Sequence, residues 1–289
     1  MKAFADYTPD ERHLWITLSA GEYFPDILED ACALYEPVLI MFGQLLGTSS
    51  SSTHLFTQIA VVPNPMRDQL KRVFRRYICP ELPVEMTKKQ RDVEDICARF
   101  GAKFRPIQEA QAAYMTRPTR DEALCALLWE QKDRGKKGYN LTGQFFTLFR
   151  TLLPELLISG PVGAGKDIAM ATVFTEQYPN PNRPVDFAVY DQGSADVLAI
   201  GLARYDSDRG GSQEDDRIGG YRNCADEILT YAKAHNLRTK VIFINDGPGL
   251  LLGTMWNDYA RLEQSWPGQI MVATLRMIPE RLTVDWLRS

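Results

Sequence analysis

Two apolar runs, Phe187–Tyr190 and Val197–Tyr205, are separated only by a Gly-Ser turn, and a third, Glu155–Ser159, precedes them. They read as three strands in succession. Ser212–His235 then reads mostly as helix, interrupted at Gly219-Gly220, and Lys240–Asn245 (KVIFIN) as a buried strand. Asp246 to Gly249 forms a turn, Leu250–Gln264 a helix and Ile270–Leu275 a last strand. With an aromatic-rich helix over Leu141–Leu153 in front, the order is α-β-β-β-α-β-α-β. Consecutive strands followed by a helical crossover predict an α/β domain with a mixed sheet.

The first half has a different grain. Leu28, Ala31, Leu34, Val38 and Met41 recur at helical spacing and predict a helix over 22–47. Thr48–Thr53 (TSSSST) reads as a flexible loop. Pro63 and Pro65 introduce a basic helix, Met66–Tyr77, with Leu70, Val73, Phe74 and Tyr77 on one face and Arg67, Lys71, Arg72, Arg75 and Arg76 on the others. Residues 85–100, 106–115 and 121–132 also read as helical. The basic stretch Arg134–Gly138 (RGKKG) marks the boundary, which predicts a mainly helical, partly basic region over 1–137 and an α/β core over 138–289.

The 289 residues are 45% hydrophobic and 24% charged, an ordinary soluble composition. The longest apolar run considered, Pro37–Leu46, falls well short of the roughly 18–20 residues that span a bilayer. The opening MKAFADYTPDERHLW has no apolar signal region. Five scattered cysteines with no CxxC or Cys/His pair indicate neither a zinc site nor a disulfide framework. Together these point to the cytoplasm and away from membranes. The net charge of −4 hides an asymmetry. Residues 64–137 carry 17 Lys/Arg against 11 Asp/Glu, or +6, which leaves −10 for the rest. A basic region beside an acidic one suits a protein that grips phosphates with one and holds a cation with the other. A solvated helix face is the plainer reading of the same charges.

Carboxylates gather at the strand ends. Asp186 opens the first of the two adjacent runs. Asp206, Asp208, Glu214, Asp215 and Asp216 follow the second, interleaved with Arg204, Arg209 and Arg217. Hard divalent cations such as Mg²⁺ are held by oxygen ligands of this kind. Such a cation activates water and stabilises a leaving oxygen in phosphodiester cleavage. Strand alternation puts Arg204 and Asp206 on one face, joined by Asp208 if the strand continues. The alternative is a salt-bridged loop with Arg204, Arg209, Arg217 and Arg222, although seven carboxylates within residues 206–227 exceed what solvation needs.

The order of elements over residues 140–278 resembles the core of the PD-(D/E)xK nuclease superfamily, which includes most type II restriction endonucleases. Pro184-Val185-Asp186 stands where the family's first acid sits, and Val197–Tyr205 where its (D/E)xK strand sits. The layout is most similar to the GATC-cutting enzymes: Gly210-Gly211-Ser212, Asp215-Asp216 and Tyr221-Arg222 match their glycine turn and polar helix, and Val241–Gly247 their strand ending in Asp-Gly. The resemblance implies a restriction-endonuclease-like mixed sheet and Mg²⁺-dependent hydrolysis of double-stranded DNA by a homodimer. Here the 197–205 strand offers Gly201, Ala203, Arg204 and Tyr205 and no (D/E)xK. Either the second acid has moved into 206–216, with Glu214 or Asp216 in its place, or the metal site is degenerate.

In that scheme Asp186 and one or two of Asp206, Asp208, Glu214 and Asp216 hold Mg²⁺, and Arg204 or Lys166 supplies the cation. An arginine does not act as a base at neutral pH, but it orients phosphate. Arg67, Lys71, Arg72, Arg75 and Arg76, with Lys136, Lys137 and Arg209, are the candidate DNA contacts. Two other readings stand beside it: a DNA-binding protein with a defunct nuclease fold, and a P-loop nucleotide hydrolase. The latter rests on Gly160–Asp167 (GPVGAGKD), which nearly fits GxxxxGK[ST] but places Asp167 where the Mg²⁺-binding hydroxyl belongs. His13, His54 and His235 are isolated. Asn245 and Asp246 line a cleft or serve a turn.

Overall fold

The computed structural model describes residues 2–19, 21–87, 90–118, 120–132, 136–162, 167–174, 177–194, 196–207 and 212–289, with the backbone alone at 84, 85, 90, 131, 132, 136–139 and 212–217. The chain forms two units, Gly21–Arg134 and Met1–Ala20 with Gly135–Ser289.

The helical unit carries α1 (Leu28–Thr48), α2 (Ser52–Val61), α3 (Met66–Tyr77), α4 (Val93–Phe100), α5 (Ile107–Met115) and α6 (Glu122–Lys132). Its core runs from Tyr35, Phe42 and Phe56 to Phe74 and Leu128. By length and composition α1 is apolar enough to cross a membrane. In this fold it is a core helix, with Ala31, Tyr35, Val38, Phe42 and Leu46 buried along one stripe. Helix α2 departs from the expected loop. Ser51 caps it by accepting a hydrogen bond from the His54 amide at 3.0 Å, so the serine-rich stretch is the helix's N-cap rather than a flexible connection.

In the second unit α7 (Lys136–Leu152) precedes β1 (Leu156–Ser159), β2 (Phe187–Asp191) and β3 (Val197–Tyr205). Then come α8 (Ser212–Ala234), β4 (Lys240–Asp246), α9 (Met255–Ser265) and β5 (Ile270–Ala273). The sheet order is β1-β2-β3-β4-β5. The first three strands are antiparallel, and β3, β4 and β5 run parallel. This is the mixed α/β sheet anticipated from the strand order. A two-residue ladder, Ile168–Ala169 with Pro184–Val185, was not anticipated. Helix α8 runs unbroken through Gly219 and Gly220, where an added Cβ would meet nothing within 4 Å.

Strand alternation sends Phe187 and Gly201 to the face covered by α7, where the Phe187 and Phe145 rings lie 4.8 Å apart. The other face carries Phe243 and Asn245 of β4, against Tyr221 of α8 and Tyr259 of α9.

The first twenty residues belong to this unit and not to the helical one, which moves the N-terminal boundary from the expected 1–137. Phe4 is wholly buried and stacks on Trp256 at 4.4 Å. Its amide donates to Glu263 Oε2 at 2.7 Å, and its carbonyl accepts from the Trp256 indole at 3.1 Å. Helix α7 also starts inside the expected basic linker, at Lys136.

Candidate active site

Asp186 sits one residue before β2. Its amide donates to the Gly201 carbonyl at 3.0 Å, and its Oδ2 accepts from the Ala203 amide at 2.7 Å. The carboxylate is thus pinned to β3 at two points. Its Oδ1 makes no hydrogen bond with the described residues. Burial raises the carboxyl above its usual range, the nearby Asp167 carboxylate pushes the same way, and the Ala203 amide opposes both. Gly160 makes this placement possible. It adopts φ 155°, and a Cβ there would lie 2.4 Å from the Asp186 carbonyl oxygen.

Phe187 pairs with Gly201, so extending the register sets Leu202 opposite Asp186, with Arg204 next on the same face. An apolar residue and an arginine stand where a carboxylate and a lysine were sought. The Arg204 side chain is 38% exposed, and its Nε donates to Asp206 Oδ1 at 3.0 Å. The Asp206 side chain is 1% exposed, and its Oδ2 accepts from the Tyr259 hydroxyl at 3.4 Å. Its backbone is held from both sides, by the Asp246 carbonyl at 2.7 Å and the Gly249 amide at 2.8 Å. The structure therefore brings Asp186, Arg204 and Asp206 together, with Asp206 serving as the buried counter-ion of Arg204.

Tyr221 was noted only as part of a helix pattern. Its phenol lies within electrostatic reach of Arg204, Asp206 and Asp186. Burial pushes it up to about 12, so it is a neutral donor at physiological pH. Burial likewise raises Tyr259, whose hydroxyl is bonded by Asn245 Nδ2. The Asn245 Oδ1 is buried without a partner among the described residues. Helical spacing offered a signal for Tyr221, since it shares a stripe with the buried Cys224, Ala225 and Ile228.

Asp246 belongs to the scaffold rather than to a cleft. It is fully buried, and its Oδ1 accepts from the amides of Thr17 at 2.6 Å and Gly247 at 2.7 Å. Its Oδ2 accepts from Leu275 at 2.9 Å. Burial raises its pKa, against the pull of these three amides.

Of the other candidates, Lys166, Asp208 and Arg209 lie outside the described residues, as do the side chains of Glu214, Asp216, Lys136 and Lys137. Among the described residues no three His, Cys, Asp or Glu side chains gather as a metal site. The described residue that fits a hard cation is Asp186, with a fixed carboxylate and one oxygen left over. Asp206, with both oxygens engaged, fits less well.

On the basic helix α3 the structure corrects one candidate. Lys71 is 3% exposed, and its ammonium bonds the Thr87 carbonyl, so it does not present to phosphate. It sits on the helix beside Leu70 and Phe74, and its aliphatic stem shares their burial. Arg72 reaches the Tyr35 hydroxyl at 3.4 Å and Arg75 the Pro80 carbonyl at 3.0 Å. Arg67 is half-buried and Arg76 exposed.

Strand β1 lies at the sheet edge, antiparallel to β2, and Asp167 leads into a short strand, Ile168–Ala169. The strand–loop–helix setting of a phosphate-binding loop is therefore missing among the described residues. A cavity of about 730 Å³ along α7, lined also by Val162 and Leu275, has none of these carboxylates in its wall. No family model, curated protein or solved structure matches the chain.

Proposed function

We propose that this chain is a Mg²⁺-dependent endonuclease of the type II restriction class, acting on double-stranded DNA as a homodimer. One observation carries the reading. In a mixed sheet with three antiparallel strands, a helical crossover and a parallel strand, Asp186 heads the second strand and shares a face with Arg204 and Tyr221. A half-buried carboxylate with a raised pKa and a second acid close by is an arrangement that a bound cation relieves.

Asp186 would hold Mg²⁺, with the acids of 208–216 completing the set. Bound Mg²⁺ supplies an activated water and neutralises charge developing on the phosphate. Arg204, half-exposed and paired with Asp206, would orient the phosphodiester and stabilise the pentavalent state. Cutting both strands of a symmetric site calls for two copies related by a two-fold axis.

A second reading, a DNA-binding protein that has lost cleavage, draws on Leu202 opposite Asp186 and on the neutralisation of Asp206 by Arg204. A digest of plasmid and phage DNA by purified protein separates the two, run with Mg²⁺, with EDTA and with Asp186→Ala. Discrete Mg²⁺-dependent fragments that vanish in the variant support the endonuclease. Intact DNA in every lane, with a retained gel shift, rejects cleavage and supports the binding protein.

A further inference from the structure

At the opposite end of β4 from the Asp186 face, a cavity of about 500 Å³ opens between the end of α8 and the turn after α9. Three cations line it, Lys233, Arg238 and Lys240, together with Gln269, Ser289 and the ring of Trp266. No Asp or Glu side chain does. Lys240 is 4% exposed. Its ammonium donates to the Ser289 hydroxyl at 2.5 Å and lies 4.6 Å from the centre of the Trp286 ring. Burial holds the Lys240 ammonium below its usual range. Lys233 and Arg238 are exposed, and their side chains make no hydrogen bond or ion pair with the described residues.

Cations at a helix C-terminus usually bond its last carbonyls. Here the main chain does that work. Asn236 turns into the left-handed region at φ 54°, and the Leu237 amide donates back to the Ala232 carbonyl at 2.8 Å. The helix dipole explains the sign of Lys233 and Arg238. It does not explain why their charges converge with that of Lys240, which belongs to the sheet. Three cations around one half-enclosed cavity repel one another, and a bound anion relieves that repulsion.

We propose that this cavity binds a phosphate group, carried either by a free mononucleotide or by a nucleic-acid backbone. Its size falls in the range of small-ligand pockets, and the half-buried Trp266 gives a flat wall against which a base stacks. None of its lining residues belongs to the proposed nuclease centre, so the site stands whether or not the chain cuts DNA.

The test is calorimetric titration of the full chain in EDTA, in separate arms with inorganic phosphate, a deoxynucleoside monophosphate and a short DNA duplex. The variants are Arg238→Ala and Lys233→Ala, both exposed and therefore expected to fold normally, with Arg238→Lys to restore charge. The expected result is saturable binding in at least one arm, weakened about tenfold by Arg238→Ala and partly recovered by Arg238→Lys. Tighter binding of the monophosphate than of inorganic phosphate assigns a free nucleotide. Variant-sensitive binding confined to the duplex assigns the backbone. Absence of saturation in all three arms up to about 10 mM overturns the site, as does an unchanged Kd in both alanine variants.

Discussion

Half-buried Asp186 and fully buried Asp246 both have raised pKa values, yet substitution should separate them. A raised folded-state value means that the stabilising contribution is complete below the unfolded pKa and is lost as pH rises through the folded one. At neutral pH, above the unfolded pKa, Asp186 therefore subtracts from stability. Asp186→Asn keeps an acceptor for the Ala203 amide and removes the buried charge, so the thermal midpoint at pH 7 should rise by about 2 °C while any cleavage is lost. The gain should shrink as pH falls below the raised pKa. Asp246→Asn should do the reverse, because an amide nitrogen would face one of three backbone donors. A loss of about 2–3 kcal/mol in urea unfolding is expected. Equal losses for both variants would remove the distinction between a site residue and a scaffold residue. Little of this was visible beforehand. The partners of Asp246, Thr17 and Leu275, lie 229 and 29 residues away, and nothing local announces them. The burial of Lys71 was hidden for a related reason, since helical periodicity marks the apolar arc but not which long side chain lies down along it.

At the scale of elements the strands read well because their apolar runs are bounded by turn residues. Phe187–Asp191, Val197–Tyr205 and Lys240–Asp246 fall within a residue of expectation. Helix α2 was missed because serines that cap a helix and serines that fill a loop look alike. The register between β2 and β3 depends on Gly201, where a Cβ would lie 1.9 Å from the Phe187 ring. That ring is wedged against Phe145 and Phe146 and has no room to yield. Gly201→Val should therefore cost about 3 kcal/mol and displace Asp186 from β3. Denaturant titration reads the first effect. A wild-type midpoint in the variant would show that the ring moves freely.

Across the whole molecule, the helical unit has its own core, whereas the sheet unit draws on both ends of the chain. The opening segment ties into the sheet through Phe4 on Trp256, the Trp15 carbonyl on the Thr274 hydroxyl, and the Thr17 amide on Asp246. Phe4→Ala should destabilise the sheet unit by about 4 kcal/mol. Four of the five tryptophans (Trp15, Trp256, Trp266 and Trp286) lie in that unit, so fluorescence-monitored unfolding reports on it preferentially. An unshifted fluorescence midpoint would contradict the packing described.

The bond between the Phe4 carbonyl and Trp256 also has a consequence in time. It spans 252 positions of chain. At about 5–20 residues per second, roughly 10–50 s of synthesis separate the two partners. In that interval residues 21–134 can finish their own core, while Phe4, Tyr7 and Trp15 have no seat. The stretch around Phe4 is thus made well before its seat exists, and until then it is open to a holdase chaperone.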